Sequence, residues 1–204
     1  RRLAVEQRNM ETALVWANAC SNPDMALRLC AALWPLWLSH GQLHEGYLWL
    51  ETTLAQAKEA ATNPALASAL LGAGMLASAQ GYYTEAAARL NSSLALWEGL
   101  GNAGQVAATL RGLGVVAANQ GDFEVAKVRF SRALHLSRSL DDNEGVAEAL
   151  NFLGQAHLDL GNIEGARRCL VEALPLVQRP DMSHERTLIL RNLGRVATVV
   201  GDDV

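Results

Sequence analysis

Arg111, Asn151 and Arg191 follow one another at intervals of forty residues: a planar cation, an amide and a second planar cation at one phase of a recurring pattern. Two guanidiniums flanking an amide can hold a carboxylate or phosphate through paired, charge-assisted hydrogen bonds. Asn119, Gln155 and Arg195 fall on the same stripe and complete the candidate ligand-contacting set. Glu148 and Asp159 share that stripe and can neutralise the arginines internally; exposed pairs of this kind contribute only about 0–1 kcal/mol. The stripe therefore has two readings, an anion-recognising groove and a solvated polar face.

Other reactive residue types do not converge. His40 and His44 are four apart, but Gly41 lies between them at a turn, so they share no continuous helical face and read as surface histidines. His157 stands where neighbouring units have Ala77, Ala117 and Ala197, which predicts packing between helices with its ring nitrogens satisfied. Ser, His and Asp are scattered with no nucleophile elbow, so no catalysis is expected, and no cofactor or metal. Cys20, Cys30 and Cys169 are odd in number and fit no zinc spacing; they read as reduced thiols of a cytoplasmic protein. The "GAG" and "GLG" stretches follow no strand and are helix contacts rather than phosphate loops.

Composition narrows the classes further. The 204 residues are 50% hydrophobic and 19% charged with a net charge of -4, which buries a core and gives no broad basic face for direct nucleic-acid binding. The longest apolar run, "LCAALWPLWL", is about half a membrane span. The sequence opens on Arg1-Arg2 in mid-pattern and closes on "GDDV", so it reads as a fragment that starts and stops in half a repeat.

The elements that would position these residues repeat every forty positions. "LSHGQLHEGYLWL", "SAQGYYTEAAARL", "ANQGDFEVAKVRF" and "LDLGNIEGARRCL" align on Gly41, Gly81, Gly121 and Gly161, and Gly201 is a fifth copy. Apolar residues at three- and four-residue intervals predict helices throughout. First helices are expected at 25–39, 65–79, 105–119, 145–159 and 185–199, and second helices at 43–58, 83–98, 123–138 and 163–178. One domain over 1–204 follows, with 1–20 as the second helix of a preceding unit, repeats at 21–60, 61–100, 101–140 and 141–180, and a partial unit at 181–204. "SNPD", "TNPA", "GNAG", "DDNE" and "DMSH" carry capping signals between units, with Asn22 and Asn63 each before a Pro. The turn glycines close tight helix–helix turns. The small residues Gly46, Ala86, Ala126 and Ala166 let paired helices approach, and Gly74, Gly114, Gly154 and Gly194 do the same from the first helix. A mid-helix Gly costs about 1 kcal/mol against Ala, so four at one phase demand a packing reason.

At Leu113, Gly114, Gly121, Ala126, Phe130 and Ala133, and again at Leu153, Gly154, Gly161, Ala166, Leu170 and Ala173, the sequence resembles the tetratricopeptide repeat (TPR). The first unit departs, with Trp34 for Gly, Gly46 for Ala and Thr53 for the last Ala, and the period exceeds the family's usual 34. The resemblance implies an all-α solenoid of stacked antiparallel helix pairs in a right-handed superhelix, stabilised by neighbour contacts. It implies a protein, peptide or small effector in the concave groove. The groove-lining stripe would begin at Leu71, Met75 and Ser78, continue through Ala108, Arg111, Val115 and Asn119, and end at Arg191, Arg195 and Thr198.

Residues 9–57 carry a second resemblance. Asn9, Ala13, Trp16 and Ala17, followed by Leu33, Trp34, Trp37, Gly46 and Trp49, are similar to the segment opening the repeat region of bacterial signal-transduction ATPases of the LuxR-type and AfsR-like transcriptional regulators. Pro35 departs from that pattern and is expected to kink its helix. This resemblance implies a non-catalytic sensor or scaffold domain beside an ATPase and a winged helix; a free-standing adaptor is the alternative. The N-terminal tryptophans read either as a bulky core seam or as the docking face for that winged helix. At the other end, Leu190, Leu193 and Ala197 would be left uncovered, and weak end-to-end self-association is expected.

Overall fold

The computed structural model describes residues 2–19, 23–57, 63–179 and 182–201. They form ten α-helices and no strand: α1 (Arg2–Ala19), α2 (Pro23–Ser39), α3 (Leu43–Gln56), α4 (Pro64–Ala79), α5 (Tyr83–Gly99), α6 (Ala103–Asn119), α7 (Phe123–Ser139), α8 (Asn143–Asp159), α9 (Ile163–Ala173) and α10 (Ser183–Val200). Cys20 and Asn22, with their expected thiol and capping roles, lie outside the described residues. The protein divides into two compact units, Arg1–Gly101 and Asn102–Val204.

Local sequence explains the boundaries. Gly41, Gly81, Gly121, Gly161 and Gly201 all sit at positive φ, between 73° and 86°, where each ends a first helix. First helices begin one or two residues earlier than periodicity alone predicts, and polar residues cap three of those starts. Asn63 accepts from Leu66 N–H at 2.8 Å, Asn102 from Gln105 N–H at 3.1 Å and Asp142 from Gly145 N–H at 3.0 Å. The signal in "DMSH" is different: Met182 occupies the cap of α10 and supplies no side-chain bond. The helix expected over 163–178 stops at Ala173 and continues as a 3-10 turn over Leu174–Val177. Pro175 is the cause, since it has no N–H to return to the preceding turn. Pro35 lies inside α2, which nonetheless runs unbroken to Ser39.

In the first unit, the bulky departures from the repeat pattern are packing elements. Trp37 covers Gly46, where an added Cβ would lie 2.7 Å from the indole, and Trp34 covers Gly72. Trp34 and Trp49 pack on the buried cluster of Leu27, Cys30, Leu50 and Leu76, so most of the tryptophan seam is core. Trp16 is the exception at 57% exposed. Thr53, which replaces an Ala, is fully buried and lies 3.4 Å from Cys30 Sγ, while its hydroxyl donates to Asn18 Oδ1 at 3.3 Å. Arg89 grips Glu51 with two bonds, Nε to Oε1 at 2.9 Å and Nη2 to Oε2 at 2.5 Å.

The pairing contact recurs in both units. A Cβ on Gly74 would lie 2.6 Å from Leu90 Cγ, one on Gly154 would lie 2.7 Å from Leu170 Cγ, and one on Gly114 would run into the Phe130 ring. Gly194 breaks the series, with open space around it. No second helix follows α10 among the described residues, and Leu190 is 46% exposed where Leu110 and Leu150 are at most 1% exposed. The same residue type at the same phase should therefore respond oppositely to substitution. Gly154→Leu should cost roughly 1–3 kcal/mol or more. Gly194→Ala should raise stability by up to about 1 kcal/mol through helix propensity alone. Urea melts of the two variants check this, and equal shifts would show that the packing at Gly154 is not what holds α8 to α9.

Candidate functional site

All six candidate residues lie in the second unit, on α6, α8 and α10, four or eight residues apart along each helix. The corresponding positions in the first unit offer little polar chemistry, because Leu71 and Ser78 are each only 6% exposed.

The arginines are largely engaged. Arg111 Nη2 lies 2.6 Å from Glu148 Oε2, with the two side chains 16% and 33% exposed. Arg195 Nη2 reaches Asp159 Oδ1 at 3.4 Å from a more exposed position. Arg191 is exposed and has no ionic partner among the described residues. Asn151 does not face a ligand between cations. It is buried, and its Oδ1 accepts from Asn192 Nδ2 at 2.9 Å, so its expected role as an orienting amide is corrected: the helix contact takes the amide inward. Asn192 was not anticipated, since its aligned neighbours Gly112 and Phe152 give no sign of a polar partner.

What the fold does bring together is Asn119 and Gln155. With Val115 and Ala118 of α6 and Phe152 and Asp159 of α8, they line a cleft of about 130 Å³. Phe130 and Ala156 complete its lining. The Phe130 and Phe152 rings stack with centroids 5.2 Å apart and planes 13° from parallel. Neither side-chain amide of Asn119 or Gln155 bonds to the protein among the described residues. The arrangement is an apolar slot with two unpaired amides at its mouth and ion pairs nearby.

Glu148 and His157 are among the groups whose titration is shifted by their surroundings. Burial pushes the Glu148 carboxyl above its ordinary 4.5; Arg111 opposes this, and Glu144, Glu185 and Asp142 reinforce it. Burial likewise lowers His157 from 6.5, helped by Lys127 and Arg168. The expected satisfaction of its ring nitrogens is not met at Nδ1, which is buried with no hydrogen-bond partner among the described residues. His40 is an exposed turn residue whose Nδ1 lies 2.9 Å from Leu36 O. Among the described residues no group of three His, Cys, Asp or Glu is placed to hold a metal, and no helix is long and apolar enough to cross a membrane.

Comparisons place this architecture. The tetratricopeptide repeat family model matches residues 105–179, the stretch from the start of α6 to just past the 3-10 turn. No curated protein matches the sequence. Among solved structures, BtubC (BKLC) from P. vanneervenii is 21% identical and aligns over 99% of this protein and 84% of its own length, with a TM-score of 0.77. The putative "kinesin light chain nearly identical TPR-like repeats" of Podosopora anserina are 17% identical over 88% of each protein, with a TM-score of 0.70, and a single-substitution variant of them matches equally.

The pairings have measurable consequences. Arg111→Ala leaves a half-buried carboxylate unpaired and should destabilise by roughly 1–3 kcal/mol, while Arg195→Ala should stay within about 0.5 kcal/mol; paired thermal melts compare them. Glu148 binds its proton more tightly folded than unfolded, so its contribution to stability declines as pH rises through and above 4.5. The stability difference between the protein and Glu148→Gln, followed across that range, should show this slope; a difference that grows in the protein's favour with pH would reverse the assignment. The matched family model and the matched folds agree on one conclusion: residues 105–179 carry tetratricopeptide repeats, set in an all-α, TPR-like repeat fold.

Proposed function

We propose that this protein is a non-catalytic protein-interaction module in which the α6–α8 face receives an extended peptide segment. Repeats of this family generally mediate protein interactions, which supplies the broad class. The observation that carries the specific reading is the pair of unbonded amides, Asn119 and Gln155, at the mouth of an apolar cleft. A carboxamide presents both donors and an acceptor, the complement of the carbonyl and N–H groups along a peptide backbone. A solely electrostatic groove is less well supported, because Arg111 and Arg195 are held by Glu148 and Asp159. Arg191 is the cation left to meet an acidic group or terminal carboxylate on the partner.

We further propose that the module is the sensor or scaffold of a cytoplasmic bacterial transcriptional regulator, adjoining an ATPase and a winged helix. The support is the tryptophan-rich pattern of residues 9–57 and the exposure of Trp16 on α1. The full coding sequence tests this part: a P-loop domain upstream of Arg1 is expected, and its absence would decide for a free-standing adaptor.

The groove is tested by selecting nonapeptides from a random displayed library against the protein and measuring their affinity by calorimetry. An Asn119→Ala, Gln155→Ala double variant should bind them weaker by roughly 1–3 kcal/mol, the net worth of two hydrogen bonds, with an unchanged melt. Undiminished binding would move the recognition surface away from α6 and α8.

A further inference from the structure

Another cavity lies in the first unit, away from the stripe of first-helix residues. It measures about 360 Å³, inside the roughly 300–1,000 Å³ range of small-molecule pockets. Leu54 and Ala55 of α3, Leu66 and Leu70 of α4 and Arg89 of α5 form its walls, with Ala57 just past the end of α3. Leu71, Met75 and Ser78, the stripe positions of α4, are not among them. Leu54, Ala57 and Leu70 belong to the buried cluster of this unit, so these walls are fixed before any ligand arrives. The sequence leaves the space open. Ala57 stands where the next repeat has Trp97, a side chain only 3% exposed, and a methyl group cannot fill what an indole would.

One wall is polar, and its hydrogen bonding is one-sided. Arg89 donates from Nε and Nη2 to the two carboxylate oxygens of Glu51, at 2.9 and 2.5 Å. A guanidinium carries donors on two edges, and the bond to Glu51 uses one of them. No other hydrogen bond holds Arg89 among the described residues, and its side chain is 39% exposed, so the second edge remains available.

Charge decides what can take that edge. Glu51 already balances Arg89, and Glu85 adds another carboxylate to the same neighbourhood. The Tyr47 hydroxyl registers this: burial raises it first, Glu51 raises it further, Arg89 lowers it, and Glu85 and Tyr82 raise it again. An anionic ligand would set a third carboxylate against one cation. A cationic ligand would face the guanidinium with no acceptor to offer. A neutral carbonyl oxygen accepts from the second edge and adds no charge, while an apolar body gains by leaving water for the leucine wall.

We infer that this cavity binds an uncharged small molecule with an apolar body and one carbonyl acceptor. The body lies on Leu54, Leu66 and Leu70, and the carbonyl accepts from the second edge of Arg89. The site is separate from the peptide face on α6 and α8 and does not depend on it.

The probes are 4-phenylbutanamide, 4-phenylbutanoate and 4-phenylbutylammonium, which share one apolar body and differ in the head group. Each is titrated into the isotopically labelled protein and followed by NMR. Saturable shifts at the methyl groups of Leu54, Leu66 and Leu70 are expected with the amide, and affinities about fivefold weaker or more with the two charged probes. Ala55→Trp covers the cavity from an exposed position and should weaken amide binding about tenfold or more, with an unchanged melt. Glu51→Gln removes the charge beside Arg89. It should leave amide binding nearly unchanged and improve 4-phenylbutanoate about threefold or more, a change of preference that a purely structural role for the ion pair does not produce. Equal affinities for the three probes, tighter binding of 4-phenylbutanoate than of the amide, or an unchanged preference in Glu51→Gln would overturn the choice of ligand. No saturable shift with any probe, or an amide response undiminished in Ala55→Trp, would overturn the site.

Discussion

In three of the helix pairs a large apolar side chain of the second helix sits on a glycine sixteen positions earlier in the first: Leu90 on Gly74, Phe130 on Gly114, Leu170 on Gly154. That contact governs most of what surrounds it. Glycine within a helix costs about 1 kcal/mol of propensity, which is recovered only if the paired helices come close enough for the knob to fill the missing side chain. The close approach then requires small residues opposite, and Ala86, Ala126 and Ala166 are all fully buried. It also immobilises the knob. At Phe130 the immobilised group is a ring, so a contact that serves stability in three pairs also lines, in one of them, the cleft between α6 and α8.

The electrostatics of the same face follow from crowding rather than from an empty groove. Helices α6 and α8 lie near enough for Arg111 to close on Glu148, and α8 and α10 near enough for Arg195 to reach Asp159. Two charges that look like ligand contacts along a stripe thereby become cross-links between neighbouring first helices. The carboxyl of Glu148 still sits above its ordinary range, so Arg111 does not fully offset its burial. The polar chemistry left for a partner is mainly neutral: two amides, with Arg191 apart from them.

Helices were legible in the sequence because their determinants are local and repeat. A left-handed position needs Gly41 or Gly81, and an apolar phase needs Leu110 and Leu113, whatever lies elsewhere. Boundaries drifted only where a second local effect intervened, as when Asn63 capped α4 early or Pro175 converted the end of a helix to a 3-10 turn. Turns between repeats were less visible. Gly101 at φ 68° and Asp141 at φ 54° share one left-handed position, and an aspartate there does not announce itself as glycine does. The site was legible as a stripe but not as a set of partners. Periodicity puts Asn119, Asn151 and Gln155 on one face; it does not show that Asn151 turns inward to Asn192 while the other two stay unbonded. The cleft was hidden altogether, since Phe152, Ala118 and Ala156 are the residues any core would contain.

The sixteen-residue knob-and-glycine spacing is shorter than the forty-residue unit that contains it, so each contact is closed within the stretch that encodes it. An in-frame duplication of forty codons would therefore carry its own knob and its own glycine and would arrive already self-consistent. Lengthening such an array asks no compensating change of the residues already present.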